Sequence, residues 1–270
     1  IAPRGIVAAA IAALFAIQLE NLGYEEARLF VPLTFLVIIS TVLLQSATAR
    51  PIAKWLKVAE PEPKGFLVIG ANRVARAVAA ALNEQGFRTR LAESSWDNIA
   101  KAKMENLETY YGNPVSEHAE RHLNLIGIGR LLALSYRGSV NLMAAMHYRM
   151  EFGTNHVFLL QTKPEQDKSQ KMKVPIKRRG YTLFGEDITY RRLADMLDEG
   201  GEIRATDLTE NFTFADYLQR GNKGVVPLFA LDPRRHLKIF TVEDKFEPGP
   251  GWTILGMVVE RPETAKARAG

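Results

Sequence analysis

A long run of uncharged residues near the start of the chain limits what its first sixty residues can form. Residues Leu29–Ala49 contain no Asp, Glu, Lys or Arg over 21 positions. As an α-helix this run is about 31 Å long, which matches the roughly 30 Å hydrocarbon core of a bilayer. A shorter apolar run, Gly5–Leu19, follows Arg4. The pattern predicts two transmembrane helices within residues 1–50, and a pair of buried helices in a soluble domain is the alternative.

The charges that flank the longer run predict its orientation. Arg50, Lys54 and Lys57 follow it, whereas acidic residues lie near its start. Because positively charged flanks favour the cytoplasmic side, we expect a multi-pass protein of the inner (plasma) membrane whose residues after about 50 lie in the cytoplasm. Residues 51–64 are rich in Pro and charge and are predicted to be a linker.

The excess of basic residues is confined to one segment. The chain has a net charge of +5, and residues 163–179 alone hold seven basic and two acidic side chains. We interpret this segment as a solvated basic loop, which could also contact anionic lipid. A general affinity for nucleic acid is therefore not predicted. The chain has no Cys, which excludes disulfides, thiolate metal sites and a cysteine nucleophile.

Short apolar segments alternate with amphipathic ones over residues 65–162, and this alternation predicts βα units. Such units specify an α/β fold with a Rossmann-like, doubly wound parallel sheet. The predicted strands are Phe66–Ile69, Arg88–Ala92, Glu108–Tyr111, Leu131–Leu134 and Val157–Gln161. The predicted helices are Val74–Glu84, Asn98–Met104, Glu117–Leu123 and Val140–Phe152.

The turn after the first strand occupies the place of a dinucleotide-binding fingerprint. It keeps the first glycine, Gly70, but has Asn72 at the second position and Ala75 at the third. Alanine at the third position still permits close helix–strand packing. A side chain at the second position crowds the approach of a pyrophosphate, unless Asn72 itself donates a hydrogen bond to the ligand.

Three further residues complete the predicted cofactor site. Glu93 ends the second strand, where a carboxylate can accept hydrogen bonds from ribose hydroxyls. Arg73 and Val74 open the following helix, and Arg73 lies where it could neutralise phosphate or face solvent. The predicted cofactor-binding residues are therefore Gly70, Asn72, Arg73, Val74 and Glu93. A nucleotide-type fold that has lost its ligand is the alternative.

No other motif predicts catalysis or a metal centre. His118 and His122 share a helix face at a spacing that suits a metal, but a third ligand is missing from the pattern, so we predict no metal site. Neither a nucleophile elbow nor a phosphate-binding loop with Gly-Lys is present. We therefore predict no catalytic residue and no enzyme.

The last ninety residues are predicted to be a small β-rich α+β domain, residues 180–270. Its helix is predicted at Tyr190–Leu197, and the end of the chain, residues 261–270, is predicted to fray. The strands are predicted at Ile203–Leu208, Val225–Ala230, Leu237–Thr241 and Trp252–Val259.

Several of these segments resemble a known family. The regulatory nucleotide-binding domain of the TrkA-N type, which is RCK-like, is similar over residues 65–162 and implies NAD(H) or another adenine nucleotide as a regulatory ligand. The similar segments are Gly70–Ala81, Tyr110–Asn113, Ser116–Ala119, Gly127–Leu134 and Asn141.

The opening segment, Pro3–Val7 with its alanine-rich continuation, resembles a late transmembrane helix of NhaP-type cation/proton antiporters. This resemblance implies exchange of Na⁺ or K⁺ for H⁺, with the ion-binding carboxylates on earlier helices of the same polypeptide, and a homodimer. It also implies that Arg4 forms an ion pair with an acidic residue of another helix. A snorkelling Arg4 at the membrane boundary is the alternative.

Two other functions remain open on the sequence. One is a soluble NAD(P)-dependent oxidoreductase that begins with a buried helical hairpin. The other is the regulatory part of a potassium channel or uptake system, in which the same domain serves a different pore.

Overall fold

The computed structural model comprises two compact units, Ile1–Pro61 and Glu62–Gly270. Each unit is described here by itself. The residues that the structure describes are 6–55, 63–162, 180–220 and 224–259.

The first unit is a pair of helices. Helix α1 spans Ile6–Asn21, a 3-10 turn spans Glu25–Leu29, and helix α2 spans Phe30–Trp55. Of the described side chains in this unit, Ala16 and Ala27 alone are buried. Both predicted helices form, and their large apolar side chains are exposed, so the pair has no core of its own.

Helix length distinguishes the two. Among the described residues, Glu25–Ala49 is the one helical stretch long and apolar enough to cross a membrane. Helix α1 is apolar but shorter. Helix α2 also continues through Pro51, where the linker was predicted to begin. Proline has a backbone φ close to that of a helix and removes one hydrogen bond, so a helix end can continue past it at a cost.

The second unit is built on a six-stranded parallel sheet. Its strand order is β3-β2-β1-β4-β5-β6, and every neighbouring pair runs parallel. The strands are β1 Gly65–Ile69, β2 Thr89–Glu93, β3 Glu108–Tyr111, β4 Ile128–Ala133, β5 Val157–Leu159 and β6 Tyr181–Thr182. The helices between them are α3 Arg73–Glu84, α4 Trp96–Met104, α5 Glu117–His122 and α6 Gly138–Phe152.

Helices cover both faces of this sheet, which confirms the doubly wound fold. Phe66 and Val68 of β1 pack on the side of α3 and α4, whereas Leu67 and Ile69 pack on the side of α5 and α6. All of β1 is buried. A strand covered on both faces is a continuous apolar run, as the sequence of β1 is.

The C-terminal part contributes to both sheets of the unit. The two-residue strand β6, within the predicted C-terminal domain, pairs with β5 and extends the parallel sheet. The other strands form an antiparallel sheet in the order β7-β10-β8-β9. These elements are α7 Tyr190–Asp198, β7 Glu202–Asp207, α8 Phe214–Arg220, β8 Val225–Leu231, β9 Leu237–Ile239 and β10 Thr253–Val258.

One hydrophobic core joins the antiparallel sheet to the parallel one. Leu228 of β8 and Met257 of β10 belong to the same buried cluster as Leu132 of β4. The opposite face of the antiparallel sheet holds a smaller cluster that includes Ile254 and Tyr217 of α8. Neither α8 nor β6 was predicted, because both are too short to show a periodic pattern.

Candidate functional site

A cleft of about 310 Å³ lies at the carboxyl ends of β1, β2 and β4. In the strand order, β1 lies between β2 and β4. The connection after β1 leads to β2 on one side, and the connection after β4 leads to β5 on the other side. Ligands of open α/β sheets bind at such a switch point. The cleft is lined by Ile69, Gly70, Ala92, Glu93, Ser94, Ser95, Asn98, Pro114, Ser135, Tyr136, Arg137 and Val140.

Gly70 lets the two turns at the switch point approach each other. Its φ is +103°, a conformation that side chains disfavour. A Cβ at this position would lie 3.2 Å from the Cα atom of Ser135, in the turn after β4. The close approach of the two turns therefore leaves no room for a side chain at position 70.

Glu93 lies at the cleft and connects two loops. Its Oε2 accepts a hydrogen bond from the backbone N–H of Ala71 at 3.2 Å. Its Oε1 accepts from the backbone N–H groups of Ser94 and Ser95, at 2.8 and 3.1 Å. A carboxylate has about four lone-pair positions. A ribose hydroxyl bound to Glu93 would therefore share the carboxylate with these amides or displace one of them.

Asn72 does not crowd the cleft, because its side chain turns inward. Its Oδ1 accepts from the N–H of Ala75 at 3.0 Å and so caps α3, while its Nδ2 donates to the carbonyl of Leu134 at 2.8 Å. The residue is 6% exposed and has an extended backbone. Asparagine thus replaces the second glycine of the fingerprint as a structural link between the turn after β1 and the end of β4.

The other two predicted cofactor residues lie outside the cleft lining. Val74 is fully buried in the core beneath α3. Arg73 donates through both terminal nitrogens to the carboxylate of Asp198, at the end of α7. These bonds raise the pKa of the Arg73 guanidinium and hold the pKa of the Asp198 carboxyl below its usual range.

The turn after β4 supplies cleft residues that the sequence analysis missed. Asn141, 1% exposed, holds this turn: its Oδ1 accepts from the N–H of Ser135 at 2.9 Å, and its Nδ2 donates to the carbonyls of Ser135 and Leu160. The exposed Arg137 guanidinium lies 5.2 Å from the ring centre of Tyr136. The signal was available, since the carboxyl end of the predicted fourth strand marks this place in a doubly wound sheet.

The two histidines considered as metal ligands instead stack on each other. The rings of His118 and His122 are 4.0 Å apart, and the Nδ1 of His118 is 2.8 Å from the hydroxyl of Tyr110. Among the described residues, no group of three His, Asp or Glu side chains is arranged to hold a metal ion. Arg4, the basic segment 163–179 and the tail 261–270 lie outside the described residues.

Solved structures are similar to this chain at low sequence identity and low TM-score. The crystal structure of the GsuK RCK domain is 14% identical, with 74% of this chain and 45% of that chain covered and a TM-score of 0.35. The GsuK channel bound to NAD is 12% identical, with 92% and 50% covered and a TM-score of 0.35. A putative NAD-dependent epimerase/dehydratase from Bacillus halodurans is 10% identical, with 50% and 86% covered and a TM-score of 0.34.

The chain spans half or less of these two GsuK chains. No curated protein matches it. Residues 66–174 match the family described as the TrkA-N domain. That match begins in β1 and includes the turn at Gly70, Glu93 and the turn after β4. The chain therefore contains a TrkA-N domain.

Proposed function

We propose that this chain is the regulatory, nucleotide-binding part of a monovalent-cation transport protein, and that its ligand is NAD(H) or another adenine nucleotide. The observation that carries the proposal is the cleft at the switch point of a TrkA-N domain, where Gly70 opens the turn and Glu93 offers a carboxylate. A cleft of about 310 Å³ is at the small end for a ligand site and suits a mononucleotide or one half of a dinucleotide.

The residues of the cleft fit this ligand. Gly70 leaves room where a Cβ would meet Ser135, so backbone amides of the turn can approach a phosphate. Glu93 would hold ribose hydroxyls after giving up part of its bonding to Ala71, Ser94 or Ser95. Arg137 is the one cationic side chain of the cleft lining and would face the phosphate charge.

The first unit supports a membrane role. The apolar side chains of α2 are exposed along the helix, as with Leu36 at 62% and Leu43 at 65%. Exposed apolar surface on this scale needs cover by lipid or by other helices. We propose that α1 and α2 lie in the bilayer beside further transmembrane helices of the same polypeptide, with the second unit in the cytoplasm.

Two transport classes fit this arrangement. A potassium channel or uptake system comes first, because a TrkA-N domain behind membrane helices suits ligand control of a pore. A Na⁺ or K⁺/proton antiporter is the second candidate, on the resemblance of the opening Pro3–Val7. In either class a homodimer is proposed, and the nucleotide must bind two conformations of the protein with different affinity in order to regulate transport.

Ligand titration of the full chain in detergent tests the cleft. We expect NAD⁺, NADH or AMP to bind in calorimetry, and Glu93→Gln to weaken binding about tenfold through the loss of charge-assisted hydrogen bonds. Glu117→Gln, on the exposed helix α5, is the matched control and should leave binding unchanged. No binding at millimolar concentration would exclude a nucleotide regulator.

Two further measurements separate the alternatives. A regulator leaves NADH unconsumed when small carbonyl substrates are added, whereas an oxidoreductase oxidises it. For the intact polypeptide in vesicles, a K⁺ current that responds to nucleotide but not to a pH gradient indicates a channel. Cation flux that collapses a pH gradient indicates an antiporter.

A further inference from the structure

A second pocket, of about 280 Å³, lies at the other end of the parallel sheet from the cleft. It is formed where β4, β5 and β6 begin and where β9 and the following loop pack against them. Arg130, Lys238, Asp244 and His156 supply its charged and imidazole side chains, and Phe158, Tyr181 and Phe246 supply aromatic walls.

The charge of Arg130 is partly buried and weakly hydrogen-bonded. The residue lies within β4, and its burial lowers the pKa of its guanidinium. The guanidinium lies 5.4 Å from the ring centre of Phe66 and donates one long hydrogen bond, 3.4 Å, to the carbonyl of Leu237. A guanidinium has five N–H donors, and buried charges are usually paired. Among the described residues, no carboxylate forms an ion pair with Arg130.

The neighbouring charges leave this pocket positive. Lys238 is exposed, and its ammonium lies over the rings of Phe246 and Trp252, at 5.1 and 5.5 Å, rather than beside a carboxylate. His156 uses its Nδ1 at the carbonyl of Phe152, 2.9 Å away. Asp244 is the one acidic residue of the lining, so two permanent cations face one carboxylate.

We propose that this second pocket binds a small organic phosphate that carries an aromatic ring. Arg130 and Lys238 hold the phosphate, since a guanidinium fork matches its oxygens and an ammonium adds a point charge. The aromatic walls hold the ring, and the pocket is larger than a bare phosphate needs. Asp244 opposes the anion and sets an upper limit on affinity. This site is separate from the cleft and does not depend on a nucleotide binding there.

Phenyl phosphate, titrated into the full chain in detergent by calorimetry, is the probe. We expect it to bind more tightly than inorganic phosphate, and we expect phenol not to bind. Lys238→Gln should weaken binding about tenfold, the usual loss for one charge-assisted bond, and Arg130→Gln at least as much. Asp244→Asn should tighten binding severalfold, an effect that no loss of folding can imitate.

Two control variants test whether phenyl phosphate binds in the second pocket. Lys245→Gln removes an exposed lysine next to Asp244 that does not line the pocket, and Glu93→Gln alters the cleft. Both should bind phenyl phosphate as the unaltered chain does. The proposal is overturned if Lys238→Gln and Asp244→Asn leave binding unchanged, or if binding follows Glu93→Gln. Equal affinity for inorganic and phenyl phosphate would overturn the assignment of an aromatic ligand.

Discussion

The two units of the chain are both rich in apolar residues but use them in opposite ways. In the second unit, Leu132 is fully buried in a core that two sheets share, whereas Leu43 of α2 is 65% exposed. The second unit therefore carries its own hydrophobic stabilisation. The proposed membrane role implies that the helix pair of the first unit obtains its stabilisation from lipid or from helices outside it.

Truncation of one leucine in each unit tests this comparison with the largest expected effect. Leu132→Ala should lower the free energy of unfolding of the second unit by about 2–5 kcal/mol, because it removes buried methyl groups and leaves a cavity. Leu43→Ala should leave that free energy unchanged. Denaturant unfolding in detergent, followed by hydrogen exchange of the β1 and β4 amides, measures both. Equal losses would show that the helix pair contributes to the same core.

The second unit also contains buried side-chain hydrogen bonds, such as those of Asn141. Asn141→Ala would leave the N–H and carbonyl of Ser135 and the carbonyl of Leu160 without this partner inside the fold. We expect a loss of about 3 kcal/mol, because buried groups without hydrogen bonds cost about 1–3 kcal/mol each and local rearrangement recovers part. Asn124→Ala, which removes an exposed bond to the N–H of Ile126, is the control and should cost less than about 1 kcal/mol.

Substitution of two glycines distinguishes a steric clash in the cleft from the backbone strain that a side chain causes at any positive φ. Gly70→Ala and Gly86→Ala both place a side chain at positive φ, +103° and +85°, so each should cost about 1–2 kcal/mol. At Gly86 the new Cβ meets nothing within 4 Å, whereas at Gly70 it meets Ser135. Only Gly70→Ala should therefore abolish nucleotide binding in calorimetry. Loss of binding in both variants would mean that general destabilisation is the cause.

The sequence was sufficient for the parallel sheet because its strands and helices have clear periods. All five predicted strands form, although several differ at their ends from the prediction, as β4 does in beginning at Ile128 rather than Leu131. Periodicity does not reveal long-range pairing, so the sequence did not show that Asp198 takes Arg73 away from the cleft. The same limit applies to Asn72, whose partner Leu134 is 62 positions away in the chain.

Substitutions in surface ion pairs are expected to change stability least. The pH dependence of stability that these pairs cause should still differ between the two units. Asp198 has a pKa held below its usual range by hydrogen bonds from Arg73, so folding favours the deprotonated carboxyl. Its contribution to stability is present above the unfolded pKa, about 3.9, and is lost as the pH falls through the lower folded pKa. Asp198→Asn should therefore make unfolding of the second unit less sensitive to acid, while stability at neutral pH changes little.

The matched variant for this last prediction lies in the first unit. Glu20 and Arg28 form a looser pair, 3.6 Å apart, between α1 and the 3-10 turn. Glu20→Gln should leave the acid dependence of the second unit unaltered, because that dependence arises from its own carboxylates. NMR titration of the Asp198 side-chain carbon supplies the direct measurement, and Arg73→Gln should raise its midpoint toward the usual value. A midpoint that Arg73→Gln does not move would show that Arg73 is free to turn to the cleft, and would restore it as a phosphate ligand.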